Sequence, residues 1–207
     1  MNQNRRDKVF PVQIEEKLQM FREGTYVILK EREQTDLKEK KQGGEVNLTY
    51  TAQGNTLILL SPENHVLSYL DGQKKGATAC ADIFLFKLLC ESGKWELHII
   101  EFKKTVNLDT VGKSRWQFTM GIYNARAVAA FLGIEIENIC LYSGFRNDKV
   151  EDNSQLINLR ARINTEAINK IKQWNKEECK LIIDGKEIVL PHKKIYLDQS
   201  GNGQFSI

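Results

Sequence analysis

Clustered metal ligands are missing from this chain. Its four cysteines, Cys80, Cys90, Cys140 and Cys179, are widely spaced with no CxxC pair, and only three histidines, His65, His98 and His192, are present. This excludes a structural zinc site made of neighbouring Cys and His ligands. It predicts four reduced thiols, mostly in the core, in a reducing compartment. Long apolar runs are missing too: no stretch reaches the ~18 residues of a membrane span, so no membrane partner is expected. Met1 to Lys8 is polar and lacks the apolar core of a secretory signal, which predicts a cytoplasmic protein. A strong charge of either sign is absent: 30 Lys and Arg against 27 Asp and Glu give a net charge of +3. That balance is too small to argue for nucleic acid by itself. With 41% apolar and 28% charged residues over 207 positions, the chain is long enough for a real core and is not a disordered one. It contains no internal repeat and no low-complexity tract.

What is present alternates between helix and strand patterns. Ile14, Leu18 and Phe21 predict a first helix over 12–23, stopped by Gly24. Thr25 to Leu29 reads as a strand. Residues 30–44 are the most polar run and read as a solvated loop or a short exposed helix. Strands are expected at 46–51, 56–60 and 66–70. Two longer ones, 81–89 and 95–105, are joined by Cys90-Glu91-Ser92-Gly93-Lys94, and a link this short predicts an antiparallel hairpin. A helix over 114–132 follows, closed by Gly133, with Trp116, Met120, Tyr123, Ala127 and Ala130 as its apolar stripe. The strand at 137–142 is expected to return parallel to 96–104. A second long helix is read at 154–174, on Leu156, Leu159, Ile163, Ala167, Ile171 and Trp174. A hairpin over 181–190 turns at Asp184-Gly185, and the tail after Pro191 reads as loose. The expected organisation is a core over residues 1–150 with a polar amino-terminal tail, and a helix-plus-hairpin appendage over 151–207.

The chemistry concentrates at Asp82 and, nineteen residues later, Glu101-Phe102-Lys103. Glu-x-Lys recurs at Glu15, Glu39 and Glu178, so the tripeptide alone says little. Glu101, however, ends an apolar strand, where an ionised carboxylate is costly without a partner. If residues paired across the hairpin sum to 183 or 185, Asp82 lies opposite Glu101 or Lys103, and all three share one face. A sum of 184 puts Asp82 on the other face. Alternation favours the odd register. It groups Phe84, Phe86 and Leu88 with Trp95, Leu97 and Ile99, and leaves Lys87 with Glu96 or His98 on the other side. Two adjacent carboxylates repel unless a cation lies between them. A lysine alone would make a structural ion cluster. A hard divalent metal would make a site for phosphodiester hydrolysis.

This order resembles the PD-(D/E)XK nucleases, the restriction-endonuclease-like superfamily, over roughly residues 12 to 145. The resemblance implies an α/β fold with a mixed β-sheet flanked by helices, in the order α-β-β-β-α-β. It implies Mg2+ or Mn2+ held by Asp82, Glu101 and the carbonyl of Phe102, with Lys103 as the catalytic lysine. Gln117 matches the glutamine many members carry on the following helix, and Glu15 the glutamate on the first helix that completes the metal shell. The implied function is a metal-dependent nuclease acting on nucleic acid, DNA rather than RNA, with a two-fold homodimer favoured for double-strand cutting. Alanine stands before Asp82 in place of the proline of the family name, and Gln117 and Tyr123 do not fit the Gln-x-x-x-Tyr spacing of recombination-type members. Lys74, Lys75, Lys104, Lys113, Arg115 and Arg126 are candidates for phosphate contacts, and Trp116 and Tyr123 for base stacking. Two rival readings stand beside this one: an inactive module of the same fold that binds nucleic acid or a nucleotide, and an interaction protein that uses the 151–207 appendage.

Overall fold

Strict alternation builds the centre of the molecule. In β5 (Ile83–Leu88) and β6 (Trp95–Val106) the pairs Ile83↔Ile100, Phe84↔Ile99, Phe86↔Leu97 and Lys87↔Glu96 all sum to 183, the odd register. The computed structural model describes residues 9–41, 44–65, 67, 69–152 and 165–207. It is an α/β structure whose mixed seven-stranded sheet runs β1-β4-β5-β6-β7-β9-β8. Here β1 is Tyr26–Leu29, β4 Thr56–Leu60, β7 Ile136–Asp148, β8 Glu178–Ile183 and β9 Lys186–Tyr196. The pairs β6–β7 and β7–β9 are parallel and the others antiparallel. Strands that pair in parallel need a long connection. Between β6 and β7 that connection is α2 (Leu108–Leu132).

Because successive strand residues face opposite ways, the two sides of this sheet have different covers. The odd positions of β6 pack with Phe84 and Phe86 against α2 and α1 (Val12–Leu18). The even positions, Ile100 and Phe102, pack with Leu85 and Tyr142 against a second sheet of order β10-β3-β2. Its strands are β2 (Gln34–Lys41), β3 (Gly44–Thr51) and β10 (Asn202–Ser206). A third cluster, Val106, Phe145, Val150, Ile171 and Trp174, is closed by the short α3 (Lys149–Asp152) and by α4 (Thr165–Asn175).

Several expectations are corrected here. The polar run over 30–44 contains strand β2, in which Thr35, Leu37 and Glu39 alternate inward and Leu37 is fully buried. The first helix ends at Leu18 rather than at residue 23. Residues 62–65 form a 3-10 turn, and 69–70 are turn and bend, so no strand occupies the described part of 66–70. The tail is not loose, since β10 pairs parallel with β3, Asn202 opposite Asn47. The second long helix is described only from Thr165. Leu156, Leu159 and Ile163 lie outside the described residues. The 181–190 hairpin forms as expected, with Ile183 opposite Lys186 and left-handed backbone at Asp184 and Gly185, where glycine carries no Cβ penalty.

The largest correction concerns the long helix. It starts at Leu108, six residues early, where the Asn107 side chain accepts from the amides of Asp109 and Thr110 in a capping box. Its buried side is Phe118, Ile122, Ala125, Ala129 and Leu132, while Trp116 is 46% exposed and Ala127 and Ala130 face solvent. At 3.6 residues per turn the two stripes lie on nearly opposite faces. Both are apolar enough to bury. The sheet selects the one whose Gly121 lets Phe84 approach, with a glycine Cβ position 3.3 Å from the Phe84 ring.

Among the described residues no helix is long and apolar enough to cross a membrane. Cys80 and Cys179 are buried, Cys140 is half-buried and Cys90 is exposed, all as free thiols. Burial pushes the Cys80 and Cys179 thiols up to about 12, which makes both inert at neutral pH.

Candidate metal centre

Where β5 begins, the ladder to β6 changes character. The amide of Asp82 donates to the carbonyl of Ile100 at 3.0 Å. The amide of Phe102 donates to Oδ2 of Asp82 at 2.7 Å. The carboxylate thus takes a backbone donor of the neighbouring strand and fixes its own orientation. The paired ladder ends at Ile83↔Ile100, and the Asp82 amide bonds one residue out of its register, so Asp82 joins the site through its contact with the Phe102 amide, next to Glu101. Both carboxylates are buried, Asp82 at 1% and Glu101 at 0% exposure.

Lys103, two residues on from Glu101 and on the same face, pairs through Nζ with Oε1 of Glu101 and donates to Oε1 of Gln117 at 3.0 Å. The amide of Gln117 in turn donates to the carbonyl of Cys80 at 3.4 Å. Gln117 therefore bridges α2, Lys103 and the segment that enters Asp82. It can do so because it flanks the buried stripe of α2 rather than the solvent face. Phe102 points the other way, its ring lying where a Cβ on Gly144 would sit, 2.6 Å away. An extended residue directs its N–H and C=O toward the same neighbouring strand, so the Phe102 carbonyl faces the Asp82 side. Four of the residues singled out in the sequence, Asp82, Glu101, Lys103 and Gln117, meet here with that carbonyl beside them.

Glu15 does not join them. Its Oε1 accepts from the amides of Val9 and Phe10 at 2.8 and 3.1 Å. Phe10 lies against Trp95 at 5.0 Å between ring centroids. Trp95 and Glu101 are six residues apart on β6, roughly 20 Å. The carboxylate of Glu15 holds the chain entering α1 and is no candidate for the metal shell. Among the described residues no group of three or more His, Cys, Asp and Glu side chains is placed to share one ion.

The cations flanking the motif divide. Arg115 donates to Oε1 of Gln173 and Arg126 pairs with Asp184 at 2.8 Å, so both have structural partners. Lys74, Lys75, Lys104 and Lys113 are exposed, with Lys104 on the face opposite Lys103. The Tyr123 hydroxyl accepts from the amide of Asp184, which ties that ring to the β8–β9 turn and away from base stacking. Trp116 lies over Gly76 in the loop leading to Asp82.

One buried pair was not singled out from the sequence. Ser143 stands in parallel register with Glu101, and its hydroxyl meets Nε2 of His192 at 2.9 Å. His192 is packed edge-on between Phe118 and Trp174. Its only sequence signal was the scarcity of histidine. Burial, with Lys194 adding to it, pushes His192 down to about 4, and burial does the same to His98. Both rings are thus neutral in the fold, whereas an unfolded histidine protonates near ~6.5. Between those values the unfolded chain binds more protons, so stability is full above pH 6.5 and falls as pH drops toward 4. Urea unfolding is expected to show a lower midpoint at pH 5 than at pH 7.5. An unchanged midpoint would contradict the neutral, buried histidines.

The chain matches no protein-family model, no curated protein and no solved structure, so its placement rests on this arrangement of residues and on the α/β, mixed-sheet fold that carries it.

Proposed function

We propose that the protein is a divalent-metal-dependent nuclease of restriction-endonuclease-like architecture. It hydrolyses phosphodiester bonds of nucleic acid, with DNA favoured over RNA by analogy of fold. The observation that carries this reading is the buried Asp82 carboxylate held on the amide of Phe102, beside buried Glu101, which in turn holds Lys103 and through it Gln117. Support also comes from the element order, in which α1 precedes the strands, Asp82 immediately precedes β5, β6 bears Glu101 and Lys103, and α2 leads to a parallel β7.

The donors present suit a hard cation. Asp82, Glu101 and the Phe102 carbonyl offer only oxygen, the ligand type Mg2+ and Mn2+ prefer, with waters completing the shell. Such an ion supplies charge neutralisation at the phosphate and an acidified water. The chain's own residues do the rest. Asp82 is pre-oriented by the Phe102 amide, so little reorganisation is needed on binding. Lys103 is held on Glu101 and Gln117, at 20% side-chain exposure, where it can orient the attacking water and stabilise charge developing on the phosphoryl oxygens. Gln117 fixes the lysine and, through Cys80, the segment that bears Asp82.

The test is a cleavage panel of circular, linear and single-stranded DNA and of RNA, each with Mg2+, Mn2+ and EDTA. Cation-dependent cleavage of at least one DNA substrate is expected, and degradation of linear but not circular DNA would identify an exonuclease. Absence of cleavage from the whole panel would refute the nuclease.

A further inference from the structure

Between the 3-10 turn at 62–65 and β5 the described residues form turns and bends, with no strand or helix. A connection longer than about 15 residues with no element of its own is usually a binding or active-site loop. This one ends directly on Asp82. Two contacts fix it to the first half of α2. The Gln117 amide holds the Cys80 carbonyl at 3.4 Å. A Cβ on Gly76 would sit 2.7 Å from the ring of Trp116, so that ring packs on bare backbone. Lys113 lies one helical turn before Gln117 and on the same side of α2. Loop and helix thus form one wall beside the candidate centre.

This wall carries cations without acidic partners. Lys74, Lys75 and Lys113 are exposed, and none forms an ion pair among the described residues. Elsewhere Lys87, Lys94, Lys170 and Lys180 each pair with a glutamate. Asp71, the one carboxylate among residues 66–80, accepts from the Gln73 amide at 2.9 Å. The wall also carries exposed rings. Tyr69 is 95% and Trp116 46% exposed, whereas Trp95 and Trp174 are each 2% exposed. Trp116 directly precedes Gln117, which holds Lys103. Lysines without acidic partners attract a polyanion. Aromatic faces beside them favour unpaired bases, because in a duplex each base face is already covered by its neighbour. A duplex would meet the lysines and gain nothing from the rings.

We propose that this wall holds a single strand of nucleic acid. Its phosphates lie on Lys74, Lys75 and Lys113 and one base stacks on Trp116, so that the strand passes Gln117 toward Asp82 and Glu101. As a substrate assignment this rests on the nuclease reading; the binding itself requires no cleavage.

Fluorescence anisotropy in EDTA tests it, with a labelled DNA strand of mixed sequence and with the same strand annealed to its complement. The single strand is expected to bind at least ~10-fold more tightly than the duplex. Trp116→Ala should weaken strand binding ~10-fold, the scale of one stacked base, and leave its salt dependence unchanged. The triple variant Lys74→Ala/Lys75→Ala/Lys113→Ala, all at exposed positions, should lower the slope of log affinity against log salt by about 2, the share of three phosphate contacts on a single strand. Should Trp116→Ala fail to fold, tryptophan emission of the parent protein takes its place: the strand should quench Trp116, the other two indoles being buried. Absence of strand binding, duplex binding as tight as the strand's, parental affinity in Trp116→Ala, unquenched emission, or an unchanged salt slope in the triple variant would each overturn the single-strand site. A protein that binds the strand as expected but cleaves nothing with Mg2+ keeps this site and loses the nuclease reading. One that cleaves DNA without preferring the single strand loses only this site.

Discussion

Asp82→Ala, Glu101→Gln and Lys103→Met proteins are expected to lose at least ~10²-fold in the rate of cation-dependent phosphodiester cleavage, the scale of one well-placed electrostatic or proton-transfer group. The three losses should not multiply. Asp82 is held on the Phe102 amide and Lys103 on Glu101, neighbouring positions of one strand, and residues that act as a unit give strongly non-additive effects. The double variant Asp82→Ala/Glu101→Gln should therefore be little slower than the worse of its parents. Glu101→Gln is the most informative of the set because it keeps the side-chain volume in a fully buried place. Its melting temperature should stay near that of the parent while cleavage falls. Breaking the pair from the lysine side differs. A buried ion pair that loses one partner typically costs ~3–5 kcal/mol, so Lys103→Met is expected to be less stable as well as slower. Parental rates in all three single variants, measured on linear DNA with Mg2+, would contradict the assignment.

Phe84→Ala is expected to destabilise the fold by about 3–5 kcal/mol, the range for truncating a buried aromatic ring. Phe84 is fully buried, two residues along the same strand face from Asp82, and its ring meets the Gly121 turn of α2. Removing it leaves a cavity between the sheet and the helix that holds Gln117 in place. The loss should show as a lower urea midpoint with an unchanged slope. Because α2 also locates Gln117, residual cleavage at low temperature should fall further than the folded fraction does. A loss below 1 kcal/mol would show that the helix does not depend on this contact.

How much of this was legible from residues alone depended on whether the deciding interaction was local. The β5–β6 hairpin was legible because a five-residue link limits the registers available, and only the odd one gathers Phe84, Phe86, Trp95, Leu97 and Ile99 on one side. The turn at Asp184-Gly185 was legible for the same reason. Strand β2 was not. Leu37 is fully buried, Thr35 and Glu39 lie on the same inward face, and that pattern acquires meaning only when β3 lies beside it. The tail was unreadable because β10 pairs with a strand about 155 positions earlier. For α2 the pattern was ambiguous in itself, since two opposite stripes are both apolar. The sheet resolved it, and the same rotation that exposes Trp116 carries Gln117 to Lys103. Glu15 failed as a metal ligand because sequence order places a residue on a helix without fixing which end of the sheet that helix covers. His192 and His98 carried no local motif at all. The His192 contact with Ser143 follows from strands β7 and β9 meeting in parallel across a long connection, and the His98 contact with Tyr142 from β6 and β7 doing the same.

Calorimetric titration of the protein with Mn2+ tests the central arrangement most directly. The account predicts saturable binding that is abolished in Asp82→Ala and in Glu101→Gln and retained in Glu15→Gln. Saturable binding that survives both substitutions, or no binding by the parent protein, would contradict a divalent ion held between the two strands.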